Sequence, residues 1–472
     1  MRKLGTHSIS KELIYGVLGF AASSTSFFPG FMSPDSLLQY SQSVSGKFGD
    51  WHPPAMAGLW RVFIAFKSPA PMLLLQEMLL WGSLIAIAKN FKKIKHHNLV
   101  FLVGVVPWVS NFSGVIWKDV WMAVLFLLGT VFALMVDDHR TRSTLFLISG
   151  CALSAIASVL FRHNGIFSAV PFFIFVSINI IERSKTQRLN KQIILPLVVV
   201  SWVLTSVFIN QIIDYKILKS THDHPENAFM IDDLLRLSQE KGVSLLPGIS
   251  MQALKECENF LSGEDPYSGK ISCLQKNPDW LQSRLATRSL YREWIKGVLA
   301  QPVEYFKFRI LNFAFFLKSP GEKPWYFWHP GIDTNQYGFY AGNNQLTKLN
   351  SAYVHIFAYV VPFVFAPYFW LAVNIYLLYF VSNRRFKYEN VTKVLLWSSL
   401  LNFVSLFMAA GGADVRYIYW SSMACSLVVI LLLMHKHHRI HRTVKNFPGP
   451  RVKQSITLLT IFLVISGHWL LR

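Results

Sequence analysis

Charge is scarce in this chain. Only 15% of its 472 residues are Asp, Glu, Lys or Arg, against roughly 25% in an ordinary soluble domain. That scarcity excludes a water-soluble α/β enzyme, and a hydrophobic share of 52% excludes intrinsic disorder. Cysteine is scarce as well, with four in the whole chain, so a small disulfide-stapled scaffold is excluded. Acidic residues are the rarer sign, 25 against 46 basic ones, which leaves a net charge of +21. No internal repeat, low-complexity tract, Walker motif or Cys/His metal spacing is read in the chain.

Long apolar runs are what the sequence has instead, with a mean hydropathy of +0.35. They predict an all-α polytopic membrane protein of about eleven transmembrane helices. The spans fall at 13–28, 72–88, 98–112, 120–136, 143–161, 165–181, 193–213, 353–381, 394–411, 418–434 and 456–470. The eighth is long enough to tilt or break. The basic, apolar start over 1–28 reads as a retained signal anchor. This divides the chain into a seven-helix module at 1–213, a mostly helical external insertion at 214–350 and a four-helix module at 351–472.

The basic residues sort by side once the N-terminus is placed in the cytoplasm. Lys89, Lys92, Lys93 and Lys95, Arg183 with Lys185 and Arg188, Arg384 with Arg385, and Lys436 with Arg439 all fall in cytoplasmic segments. The positive charge is thus explained by topology, and no nucleic acid is expected as a partner. The lipid bilayer is. Cys151 and Cys425 fall in spans, whereas Cys257 and Cys273 share the external insertion, where an oxidising compartment favours a disulfide. A Phe-rich stretch at 303–317, with Lys307 and Arg309, suits a helix lying in the membrane interface.

Ionisable residues on the external side run against this pattern, and four places gather them. In the first external loop, Asp35 follows Pro34 and precedes Gln39 and Tyr40, with Asp50 and His52 further on. Asp35 reads either as a helix N-cap or as a carboxylate able to take a proton from an acceptor hydroxyl. Asp50 and His52 suit a turn or a substrate contact. The second place is Trp117-Lys118-Asp119, an interfacial ion pair or a cation for a lipid phosphate with Asp119 beside it. The third is Arg162-His163-Asn164, where the Arg fork matches two phosphate oxygens or anchors a helix end. The fourth, Asp414 and Arg416 after Gly411 and Gly412, is an internal pair or a second phosphate or sugar contact. Glu77, inside the second span, is a weaker candidate for the same cavity. The cytoplasmic His435, His437, His438 and His441 are not read as a metal site, and Trp325, Tyr326, Phe327 and Trp328 read better as an interfacial belt than as a sugar platform.

The motifs Ser33-Pro34-Asp35-Ser36, Gly49-Asp50-Trp51-His52-Pro53-Pro54, Trp117-Lys118-Asp119 and Arg162-His163-Asn164-Gly165 resemble a bacterial branch of the GT-C superfamily of polyprenyl-phosphate-dependent glycosyltransferases. The first loop is also similar to that of the lipid A aminoarabinose transferases. The resemblance implies a polyprenyl-phosphate-linked sugar donor and a glycan or glycolipid acceptor such as lipopolysaccharide O-antigen. It implies an inner-membrane enzyme whose active site faces the periplasm and inverts the anomeric centre. In its terms Asp35 is the general base, Arg162, Lys118 and Arg416 bind the donor phosphate, and Gln39, Tyr40, Asp50, His52, Asp119, His163, Asn164 and Asp414 contact substrate. Ser36 stands where the family often has a second acidic residue, so no cofactor is expected and a divalent metal is not supported. A lipid-linked polysaccharide polymerase or ligase, or a lipid or sugar transporter, are the alternative readings.

Overall fold

The computed structural model describes residues 9–138, 144–183, 191–252, 254, 289–318, 327–342, 344–384, 386–409 and 414–440. Within them the regular elements are helices, and the extended backbone amounts to three isolated bridges. Among the described residues seven helices are long and apolar enough to cross a membrane, consistent with a helical membrane protein. The predicted span at 456–470 and both Cys257 and Cys273 lie outside the described residues.

The membrane-sized or nearly membrane-sized helices are α1 (Lys11–Ser26), α4 (Ala70–Asn90), α5 (Lys118–Asp138), α6 (Thr144–Phe161), α7 (Gly165–Arg183), α8 (Lys191–Gln211), α13 (Pro367–Ser382), α14 (Glu389–Ala409) and α15 (Tyr419–Ile440). Short or peripheral ones are α2 (Pro34–Ser45), α3 (Ala55–Val62), α9 (Asn227–Lys241), α10 (Tyr291–Ala300), α11 (Pro302–Lys318) and α12 (Gln345–Val360). The main core lies between α4, α5, α6, α7, α14 and α15, where Phe126, Phe172 and Trp420 interlock. Cys151 and Cys425 are buried free thiols in this packing, as expected. α8 touches the rest mainly through α7 and exposes Leu197, Leu204 and Phe208, the surface of a helix that faces lipid.

Two predicted spans are broken. Where a helix was expected at 98–112, the chain runs as a 3-10 turn (His97–Phe101) and two short turns, Leu102–Val105 and Pro107–Ser110, interrupted at Val106. Pro107 accounts for the break, because the residue before a proline is driven out of the helical region; Val106 has ψ 139°. The long eighth span divides into α12 and α13 around Pro362 and Pro367, the break its length suggested.

The insertion builds a small core of its own, with Met230, Leu234, Leu246 and Leu290 joining α9 to α10. A helix does occupy the Phe-rich stretch, yet Arg309 does not face outward with Lys307. Arg309 is 3% exposed and pairs with the fully buried Asp233 of α9, while Trp294 Nε1 donates to the same carboxylate at 2.8 Å. An isolated buried charge is costly, so the pair fixes α11 to α9. Val303, Phe306 and Ile310 form the exposed apolar stripe.

The extended pieces set the position of the first loop. Phe31 N donates to Gly114 O, and Ile116 N donates to Phe31 O. Met32 N donates to Gly331 O, and Asp333 N donates to Met32 O. The loop is thus clamped between the lead-in to α5 and the far end of the insertion. Gly30 makes the clamp feasible: its φ of +120° and its closeness to Ile116 leave no room for a side chain.

Candidate functional site

The clamp delivers Asp35 to a definite place. Pro34 suits the first position of α2 because its missing N–H would be unbonded there. Ser33, not Asp35, is the residue that precedes the helix, and its hydroxyl accepts from Trp117 Nε1 at 2.8 Å. Asp35 is therefore not the N-cap and is turned to other partners.

Those partners come from three distant segments. Arg416 Nη1 stands 3.0 Å from Asp35 Oδ2, and His52 Nε2 stands 3.5 Å from Asp35 Oδ1. Lys118 Nζ donates to His52 Nδ1 at 2.6 Å, so the imidazole hydrogen sits on Nε2, facing the carboxylate. Arg416 also holds Asp414 through Nε at 2.9 Å, and its guanidinium lies over the Trp117 ring at 4.9 Å. Burial works against ionisation of Asp35, but the His52 hydrogen bond and the charges of Arg416 and Lys118 hold it well below the usual carboxylate range. Burial pushes His52 down, and the nearby Lys118 and Arg416 charges add to this against the pull of Asp35. The ring is therefore neutral at neutral pH.

Beside this lies a second ion pair. Arg162 contacts the nearly inaccessible Asp119, and its Nε donates to Asn164 Oδ1 at 2.7 Å. Asn164 in turn donates to Ser405 at 3.0 Å, fastening the turn between α6 and α7 to α14. Tyr417 lies under the Arg162 guanidinium at 4.8 Å and near that of Arg416 at 5.4 Å, so one ring joins the two cations. Lys118, Arg162 and Arg416 thus face Asp35, Asp119 and Asp414 in a formally balanced cluster.

Asp50 belongs to an adjoining network. It is 3% exposed and accepts from Tyr215 at 2.6 Å, from the Asp223 backbone at 2.6 Å and from His222 Nδ1 at 2.5 Å. Burial opposes its charge, and the hydrogen bonds of Tyr215 and Asp223 override burial and hold its carboxyl below the usual range. His163 Nε2 sits 3.3 Å from Asn210 Nδ2, which donates to Asp214 at 2.8 Å. Arg61, at the end of α3, donates to Ser43 O and so caps the α2 end rather than joining either network.

Other candidates go elsewhere. Tyr40 packs against Trp60, Tyr337 and Phe339 as part of an aromatic core. Gln39 is buried in the same helix, its Oε1 without a hydrogen-bond partner among the described residues. Glu77 accepts from Ser23 and Trp81, between α1 and α4. Phe327 and Trp328 pack on Phe365 and Phe27, whereas Trp325 and Tyr326 lie outside the described residues. Of His435, His437, His438 and His441 only the side chain of His435 is described, against Phe386.

Sequence reading missed His329, Tyr417, Tyr215 and His222. His329 is 5% exposed, 5.3 Å from the Trp117 ring centre, and its Nε2 has no hydrogen-bond partner among the described residues. Its only signal was a His-Pro-Gly turn inside an insertion that showed no pattern. In the segment His222-Asp223-His224-Pro225-Glu226, which was not singled out in the sequence, three side chains converge.

No protein-family model matches this chain, and no curated protein matches it either.

Proposed function

We propose that this chain is an integral membrane glycosyltransferase that moves a sugar from a polyprenyl-phosphate donor to an envelope glycan. The acceptor class is a glycan or glycolipid such as lipopolysaccharide O-antigen, met on the periplasmic face of the bacterial inner membrane. The observation that carries this reading is the meeting of Asp35, His52, Lys118 and Arg416 from four separate segments at the ends of membrane helices. Lys89, Arg183 and Lys393 sit on the neighbouring helices α4, α7 and α14, at the ends away from Ala70, Gly165 and Ala409, which supports the proposed orientation. An apolar groove on α8, lined by Leu197, Val200, Leu204 and Phe208, offers a path for a lipid tail.

In this reading the acceptor oxygen attacks the anomeric carbon on the side opposite the phosphate. Its proton passes to Asp35, the carbon–oxygen bond to phosphate breaks, and polyprenyl phosphate leaves with the electron pair, giving inversion. Asp35 is a poor base while Arg416 neutralises it. The arriving phosphate competes for the Arg416 fork and frees the carboxylate, so donor binding itself switches the base on. Lys118 and Arg416 then face the charge that builds on the leaving phosphate. His52 keeps Asp35 oriented from one side and is itself held by Lys118. No metal is required by these steps.

The test is donor binding by the purified full chain. Undecaprenyl phosphate titrated into detergent-solubilised protein is expected to raise the melting temperature, and Arg416→Ala to remove most of the rise. An equal rise in both proteins rules out the phosphate role of Arg416.

A further inference from the structure

A second set of side chains converges next to Asp50, on the segment that joins α8 to α9. His222, His224 and Glu226 each offer one ligand atom, and these atoms all lie within 4.8 Å of one another. The two imidazole rings are 4.1 Å apart, and His224 Nδ1 is 3.0 Å from Glu226 Oε1. His224 adopts a φ of 49°, an uncommon backbone state for a non-glycine residue, and Asn227 N bonding to His224 O closes the turn. The segment is also pinned from behind: Thr221 N donates to Phe48 O, and Asp50 N donates to Thr221 O.

The decisive feature is the partner of His222. Its Nδ1 is hydrogen-bonded to buried Asp50 at 2.5 Å, which fixes the tautomer and leaves the Nε2 lone pair available. A carboxylate behind an imidazole is the arrangement that orients metal-ligating histidines and raises their basicity. The His222 side chain is 48% exposed, so an ion has access.

We propose that His222, His224 and Glu226 bind one Zn²⁺, with Asp50 as the carboxylate that orients His222. Two imidazoles and one carboxylate suit zinc, whose tetrahedral shell leaves the fourth position for water or a hydroxyl ligand. Zn–N bonds of about 2.0–2.1 Å place ligand atoms about 3.4 Å apart, so the three side chains close slightly by rotation as the ion enters. The ion would lock the segment to the Gly49–Asp50 turn, two residues before His52, and so fix the first loop that carries the Asp35 cluster. The proposal does not depend on glycosyl transfer.

The test uses the full chain in detergent, purified without a polyhistidine tag, with His435, His437, His438 and His441 replaced by alanine to remove adventitious ligands. After treatment with a chelator, ZnCl₂ is titrated in competition with a chromophoric chelator, and bound zinc is counted by mass spectrometry. One saturable equivalent is expected. His222→Ala with His224→Ala weakens binding at least 100-fold, and Asp50→Asn weakens it roughly 10–100-fold. Zinc affinity within twofold of wild type in the double variant, or no saturable binding at all, overturns the site. A milder variant guards against misfolding. ZnCl₂ raises the melting temperature of the wild-type chain but not of Glu226→Gln; an equal rise in both overturns the assignment.

Discussion

Arg416 Nη1 lies 3.0 Å from Asp35 Oδ2 while the same guanidinium holds Asp414 at 2.9 Å, so one arginine ties the first loop to the start of α15. Two carboxylates and the Trp117 face surround it. An anion that binds Arg416 therefore competes with them. Arg416→Lys keeps the charge but loses the planar fork that serves two oxygens at once. In the proposed enzyme it raises the donor KM and lowers kcat/KM by about 10–100-fold, the worth of one charge-assisted hydrogen bond. Steady-state kinetics with varied donor check this.

Asp35→Asn keeps the shape of the side chain and removes the proposed base. Arg416 retains Asp414, and Asp35 is only partly buried, so folding is expected to survive. The loss in kcat is about 10²–10⁴-fold, the usual contribution of a positioned general base. A melting curve on the same preparation separates loss of chemistry from loss of fold.

Arg162 makes a different prediction. Its partner Asp119 is 1% exposed, and removing one member of a buried pair costs about 3–5 kcal/mol because the other charge is left alone. Arg162→Ala is thus expected to lower the melting temperature sharply, and Arg162→Met combined with Asp119→Leu recovers most of it. Thermal unfolding of the single and double variants in detergent measures the coupling. A single variant as stable as wild type contradicts the assigned pair.

The acid side of the pH dependence follows from two lowered groups. His52, pushed below the ordinary histidine value by burial, contributes stability that is fully present above about pH 6.5 and is lost as pH falls through its folded value. Asp35, held below the usual range despite burial, contributes stability present above about pH 3.9 and lost only at still lower pH. Protonated His52 cannot accept from Lys118 and adds a third positive charge beside Asp35. The activity of the proposed enzyme is therefore expected to be flat through neutral pH and to fall only below the ordinary histidine range, with His52→Gln moving that limb to lower pH. A kcat/KM profile of both proteins reads it out.

The spans were legible because a bilayer demands long apolar helices, and α4 to α8, α14 and α15 appear where the hydropathy placed them. Helix breaks were less legible: Pro107 interrupts a run whose composition alone reads as a span. Asp35, His52, Lys118 and Arg416 stood out singly as external charges, but nothing local announces that they meet. Their meeting depends on the backbone clamp at Phe31 and Met32, a tertiary property. Arg309 misled in the other direction. A cation on a Phe-rich helix reads as interfacial, and its buried partner Asp233 lies in a distant helix. His329 and His222 were hidden because the insertion offers no repeating pattern against which a functional histidine stands out.

If Asp35 drives sugar transfer, mass spectrometry of envelope glycans reads it out most directly. A deletion strain carries either the wild-type chain or Asp35→Asn at equal expression. A sugar-sized mass is expected with wild type and is expected to be absent with Asp35→Asn. The same glycan restored by both would contradict the general-base role. A change in chain length alone would contradict single-sugar transfer in favour of a polymerase, and no glycan difference between deletion and wild type would contradict glycosyl transfer altogether.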